Sequence, residues 1–156
     1  MPNIESSLST IVIAGQTYLD LRAALMTVRE EGMTQTYNRF HDPAQQTADI
    51  VRLREFHAEM DRAVLRAYAA SASNEEDAAR WSSLADRAEP IFLDVTNEDD
   101  HTYQGRLFWP SAFRDEVLSR LLALNAERAA AERAAGLAPA GAEFEAADAE
   151  TTGVDG

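Results

Sequence analysis

The stretch ADIVRLREFHAEMDRAVLRAYA, beginning at Ala48, constrains this chain more than any other. Ile50, Leu53, Phe56 or His57, Met60, Val64, Leu65 and Tyr68 recur at steps of three and four, the spacing that stacks side chains on one face of an α-helix. The other face carries Arg52, Glu55, Glu59, Arg62 and Arg66. There the Glu55–Glu59 repulsion and the Glu59–Arg62 attraction make a mixed, solvated surface. Thr47 or Asp49 can start this helix, which runs through Ala70, and Pro43 biases Asp42 away from helix. One apolar face of this length has to be buried against other elements.

The flanks supply candidates. Residues 6–31 read as a helix, with Ile11, Tyr18, Leu21, Leu25 and Val28 in register, Ser6 or Ser7 as a cap and Gly32 as a stop. Gly15 weakens it by about 1 kcal/mol against Ala, and the run Ile11-Val12-Ile13 is also compatible with a short strand. Residues 71–74 break the pattern. Residues 75–88 make a short helix with acids in its first turn, where the macrodipole favours them. IFLDV (91–95) and TYQGRLFW (102–109) are rich in β-branched and aromatic residues, so a hairpin is expected, with TNEDDH as its acidic loop. A lone hairpin is marginal in water and has to pack on the helices or on another chain. Pro110-Ser111 starts a last helix. Phe113, Val117, Leu121 and Leu124 form its stripe, Leu118 and Leu122 lie beside it, and Gly136 is its stop. After Leu124 the composition turns to Ala, Arg and Glu and implies extension into solvent. The expected fold is mainly α: about four helices, with one β-hairpin between helices three and four. No internal repeat is evident.

At 156 residues the chain is expected to form one domain, residues 1–136, since domains commonly run to ~100–200 residues. A chain of this size can bury roughly 70% of its unfolded surface. Residues 137–156 read as a disordered acidic tail. The net charge is −13, and all 14 basic residues are Arg, which fits a GC-rich bacterial genome. Five acids lie in 138–156; removing them leaves −8. An acidic balance argues against autonomous nucleic-acid binding, because phosphate contacts need a positive face. The absence of cysteine excludes disulfides, thiolate zinc sites and a cysteine nucleophile, and suits the cytoplasm. No apolar run approaches the ~18 residues needed to span a bilayer. The N-terminal MPNIESSLST lacks the features of a signal peptide, and its Met reads as an initiator.

Three constellations are candidates for chemistry. TQTYNRFHDP, residues 34–43, lies between two helical patterns. As a loop it offers Tyr37, Phe40 and His41 for stacking on bases, Arg39 for phosphate and Asn38 for a base edge. The same residues also suit a structured corner, with Tyr37 and Phe40 anchored in the core, Asn38 or Asp42 capping turns and Pro43 fixing the exit. His57 and Asp61, one helical turn apart, are the best available metal pair, but two ligands fall short of a transition-metal site, and no metal is expected. Arg52 and His57, five apart in RLREFH, are similar to the Arg-x4-His signature of small helical RNases of toxin systems. That chemistry needs the two side chains to converge on a 2′-hydroxyl and a phosphate, and Leu53 stands where that family usually has a polar residue. There is no Gly-rich phosphate loop, GxSxG or HExxH.

GMTQTYNRFHDP followed by DIVRLREFHAEMDRAVLRAY resembles a segment near the C-terminus of large bacterial adenine-specific DNA methylases, the type IIG restriction–modification enzymes and their PglX-like phage-defence relatives. FWPSAFRDEVLSRLLALNAERAAAE looks like the closing helix of the same proteins. The resemblance spans roughly residues 15–135. It departs at Ala69-Ala70, where that family has Gly-Trp, and at residues 71–88, which look like an insertion. The catalytic motifs of the family are missing: no S-adenosylmethionine loop, and none of Asn38, Asn74, Asn97 or Asn125 is followed by Pro-Pro. The resemblance therefore implies a module without catalytic residues of its own. S-adenosylmethionine would belong only to a partner methylase subunit or domain, and DNA would be touched within that complex. Whether such a module is a split subunit or a remnant is left open. The implied contact residues are Tyr37, Asn38, Arg39, Phe40, His41 and Arg52. The alternatives are a small helical RNase, an antitoxin, or an acidic regulatory partner. A homo-oligomer is compatible with the Leu-rich last helix.

Overall fold

A computed structural model describes residues 4–95 and 101–137. All of the expected disordered tail but Leu137, and most of the expected acidic loop, lie outside the described residues. Among the described residues there are five helices and one two-stranded antiparallel hairpin: α1 Ile4–Arg29, α2 Met33–Phe40, α3 Ala48–Ala70, α4 Glu75–Arg87, β1 Ile91–Phe92, β2 Leu107–Phe108 and α5 Ser111–Ala134. The chain divides into two units, residues 1–118 and 119–156. The mainly helical fold with a hairpin before the last helix is as expected, with one helix more.

The extra helix is α2, in the stretch expected to be a loop. α1 ends at Arg29 because Glu30 turns into the left-handed region at φ 54°. Gly32 is therefore not the stop; it is the N-cap of α2, extended at φ −81°. The Gly32 N–H donates to Gln35 Oε1 at 3.2 Å, and the Gly32 carbonyl accepts from the Thr36 N–H. Thr36 and Phe40, one turn apart, are both buried and fasten the short helix inward.

α3 packs against α1, α2 and α4. Its Ile50 and Leu53 have no exposed surface and join Tyr18, Leu25, Phe40 and Leu107 in one core cluster. Two expected stripe members point outward: Val28 is 83% exposed and Val64 is 38% exposed. Ala58 and Ala63 are buried in α3 instead, because small side chains allow close helix approach. Arg29 grips Asp49 through two guanidinium nitrogens at 2.8–3.0 Å and so joins the end of α1 to the start of α3. On α4, Asn74 caps the Asp77 N–H at 2.9 Å. Trp81 stacks on Tyr68 of α3 at 4.7 Å, with Leu84 and Ala85 buried beside it.

The hairpin is shorter than expected. Ile91 pairs with Phe108 and Phe92 with Leu107; beyond them only Leu93 continues the ladder, to Arg106 and Gly105. Gly105 sits at φ 69°, a left-handed turn that ends the pairing. Ile11-Val12-Ile13 is helical throughout. α5 buries Phe113 and Val117. In the second unit, residues 125–137 are all exposed, and Gly136 at φ 69° closes the helix with Leu137 N–H bonded to the Glu132 carbonyl at 2.9 Å.

Candidate functional site

Residues 37–43 face inward more than outward. The Tyr37 hydroxyl pairs with the Tyr18 hydroxyl at 2.5 Å and lies 3.4 Å from Arg22 Nη1. Burial first, and then the bond to Tyr37, push the Tyr18 phenol up. Arg39 donates to the Glu31 carboxylate at 2.8 Å and to Gln45 at 3.1 Å; the Glu31 partner raises its pKa further. Phe40 is 3% exposed, packed against His41 at 5.0 Å and His57 at 5.4 Å. The corner-forming role expected of Tyr37 and Phe40 describes their packing, with Phe40 in the core cluster and Tyr37 against it, and Asp42 Oδ1 accepts the Ala44 N–H at 2.9 Å; His41, expected only to stack on a base, also packs inward. Asn38 and Arg52 are exposed; the Arg52 guanidinium lies over the Phe56 ring at 5.2 Å.

His41 joins two segments 66 residues apart. Its ring stacks on Phe108 at 5.1 Å, and Nδ1 accepts the Leu107 N–H at 3.2 Å. An accepting Nδ1 requires an unprotonated lone pair there, so the neutral ring carries its proton on Nε2. Desolvation first, then the nearby charges of Arg106, His57 and Arg54, lower its pKa from 6.5 to about 4.

The residue that organises this corner is Arg54, which the sequence reading did not single out. Its guanidinium donates to four backbone carbonyls: Phe40 at 2.9 Å, Gln45 at 2.8 Å, Arg39 at 3.1 Å and Asp42 at 2.8 Å. It also sits 5.0 Å over the Phe92 ring. One side chain thus satisfies the C-terminal carbonyls of α2 and ties down the chain to Gln45. Burial lowers its pKa. The available signal was position: Arg54, His57 and Asp61 follow Ile50 along one helical row, so polar groups share the buried face.

That row leads to a pocket of about 300 Å³. Phe40, His57, Tyr103, Phe108 and Trp109 form its aromatic walls, and Asp61 and Arg114 contribute charge. His57 Nδ1 is 3.5 Å from Asp61, and its ring meets Tyr18 edge-on at 5.5 Å. Arg114 lies 4.1 Å over Tyr103 and donates to the Trp109 carbonyl at 2.9 Å. The indole N–H of Trp109 is buried without a hydrogen-bond partner. Arg52 and His57 do not meet within one copy: one covers Phe56 and the other faces this pocket. Among the described residues no group of three His, Asp or Glu could hold a metal ion, and no helix is long and apolar enough to cross a membrane. No protein-family model, curated protein or solved structure matches the chain.

Proposed function

We propose that this chain is a non-catalytic accessory or C-terminal module of an adenine-specific DNA methylase of the restriction–modification or phage-defence kind. It docks on the methylase core and helps hold DNA within that complex. The observation that carries the docking is a second apolar stripe on α1. Ile4, Leu8, Val12 and Leu19 are all exposed, Val12 to 69%, and recur at steps of four, four and seven. At about 100° per residue they form one row beside the buried row of Ser7, Tyr18 and Leu25. A helix apolar on both rows belongs in a larger interior than this chain supplies. The charge of −13 suits a basic partner and opposes DNA binding by the module alone. Of the contact set only Asn38 and Arg52 are exposed, which supports giving the DNA contact to these two.

The test is co-expression of the tagged chain with a methylase core that ends before this module. The two co-purify, and Leu8→Glu with Val12→Glu abolishes co-purification while leaving the thermal melt of the isolated module unchanged, since both positions are already in water. A core that never co-purifies, or one that the double variant still captures, overturns the proposal.

A further inference from the structure

A groove shared by α1, α3 and α4 carries two charges of opposite sign, and the fold uses neither. It holds about 320 Å³, the small end of ligand sites, and is lined by Ser6, Ser7 and Thr10 of α1, Arg66 of α3, and Ser82 and Asp86 of α4. Both charged side chains are exposed. Neither Arg66 nor Asp86 makes a hydrogen bond, ion pair or ring contact with a described residue, so they share the groove without pairing. Arg29, Arg39, Arg62, Arg80 and Arg87, by contrast, each hold a carboxylate. Asp86 also stands in the last turn of α4, where the macrodipole favours a cation over a carboxylate. Ser6 and Ser7 stand in the first turn of α1, the end that favours an anion. Ser7 is 8% exposed, and its hydroxyl makes no hydrogen bond with a described residue. An anion alone would meet Asp86, and a cation alone would meet Arg66. A neutral polyol could hydrogen-bond both groups but would compensate neither charge.

We propose that this groove binds a small zwitterion, a free α-amino acid. Its carboxylate accepts from the Arg66 guanidinium, whose planar fork matches two carboxylate oxygens, and from the hydroxyls at the start of α1. Its ammonium donates to the Asp86 carboxylate. Ala63 and Ala69 add only methyl groups to the lining, which suits a short side chain. The proposal rests on neither the methylase reading nor the exposed row of α1.

Titration of the whole chain with L-alanine and L-serine, followed by amide chemical shifts in NMR, tests it. N-acetyl-L-alanine removes the ammonium, L-alanine amide removes the carboxylate, and glycerol carries hydroxyls without charge. Alanine or serine binds, with shifts at residues lining the groove, and each of the three other probes binds about tenfold more weakly. Arg66→Met and Asp86→Asn each weaken alanine about tenfold. Neither lowers the thermal melt, because neither side chain bonds to the rest of the described fold. Binding of N-acetyl-L-alanine as tight as that of alanine would make the groove an anion site and overturn the proposal. Equal binding of the amide or of glycerol, alanine binding retained in either variant, or no binding by any probe overturns it as well.

Discussion

Protonating His41 should loosen the junction between α2 and β2. The folded ring is held neutral, its pKa lowered from 6.5 to about 4 by burial and by three nearby cationic or titratable groups, Arg106, His57 and Arg54. A group whose folded pKa is depressed adds stability that is fully present above the unfolded value and is lost as pH falls through the folded one. The window is therefore pH 6.5 down to about 4. At its limit this gap is worth about 3 kcal/mol, and the partial exposure of the ring and solvent screening reduce it to about 1–2 kcal/mol. The structural cause is specific: a protonated Nδ1 cannot accept the Leu107 N–H, which it now meets at 3.2 Å. Urea unfolding of the wild type and of His41→Asn, followed by circular dichroism from about pH 7 to pH 4.5, separates this effect from other titrating groups. Asn keeps an acceptor near the Nδ1 position but does not titrate. The variant is less stable at neutral pH because it loses the stack on Phe108, yet its stability falls less steeply below pH 6.5. Two parallel pH profiles would refute the reasoning.

Other substitutions probe the corner and the core. Arg54→Met keeps the stem and removes the donors to four carbonyls; it should cost about 2–4 kcal/mol and speed hydrogen exchange of the amides near residues 41–46, read by mass spectrometry. Ile50→Ala opens a cavity at a fully buried position and should cost about 2–5 kcal/mol in the same urea assay. Gly105→Ala meets only Val95 Cγ2 at 3.8 Å, so its cost is backbone strain at φ 69°; about 1–2 kcal/mol is expected, and a larger loss of melting temperature would point to a clash instead.

Periodicity made the long elements legible. The start and end of α3, the Asn74-capped α4 and the Gly136 stop of α5 all follow from spacing and capping residues. It failed where the signal was too short or lay on another axis. α2 has eight residues and one buried pair, Thr36 and Phe40, which is too little repetition to stand out from a polar loop. TYQGRLFW carries strand-forming residues, but Gly105 bends the chain before the pairing can extend. Val28 fits the α1 stripe by number and points to water, because the neighbours that would cover it are set by tertiary packing. Within the candidate site, residue types were readable and directions were not. Tyr37, Phe40 and His41 suit a base or a core equally well as chemistry, and only the positions of Tyr18, Arg54 and Leu107 decide between the two.

That outcome moves the docking argument from one helix to another. A motif facing outward would have placed Tyr37, Phe40 and His41 on a partner, and their substitution would then report on binding. Facing inward, they report on folding, so a loss of assembly in a Phe40 variant carries no information about the interface. The exposed row of α1 is the reverse: Leu8 and Val12 contribute little to the isolated fold because they remain in water, so a change there isolates association. Under the proposed docking, Leu8→Glu with Val12→Glu should abolish co-purification and leave the urea midpoint of the isolated chain unchanged, whereas Arg54→Met should lower that midpoint.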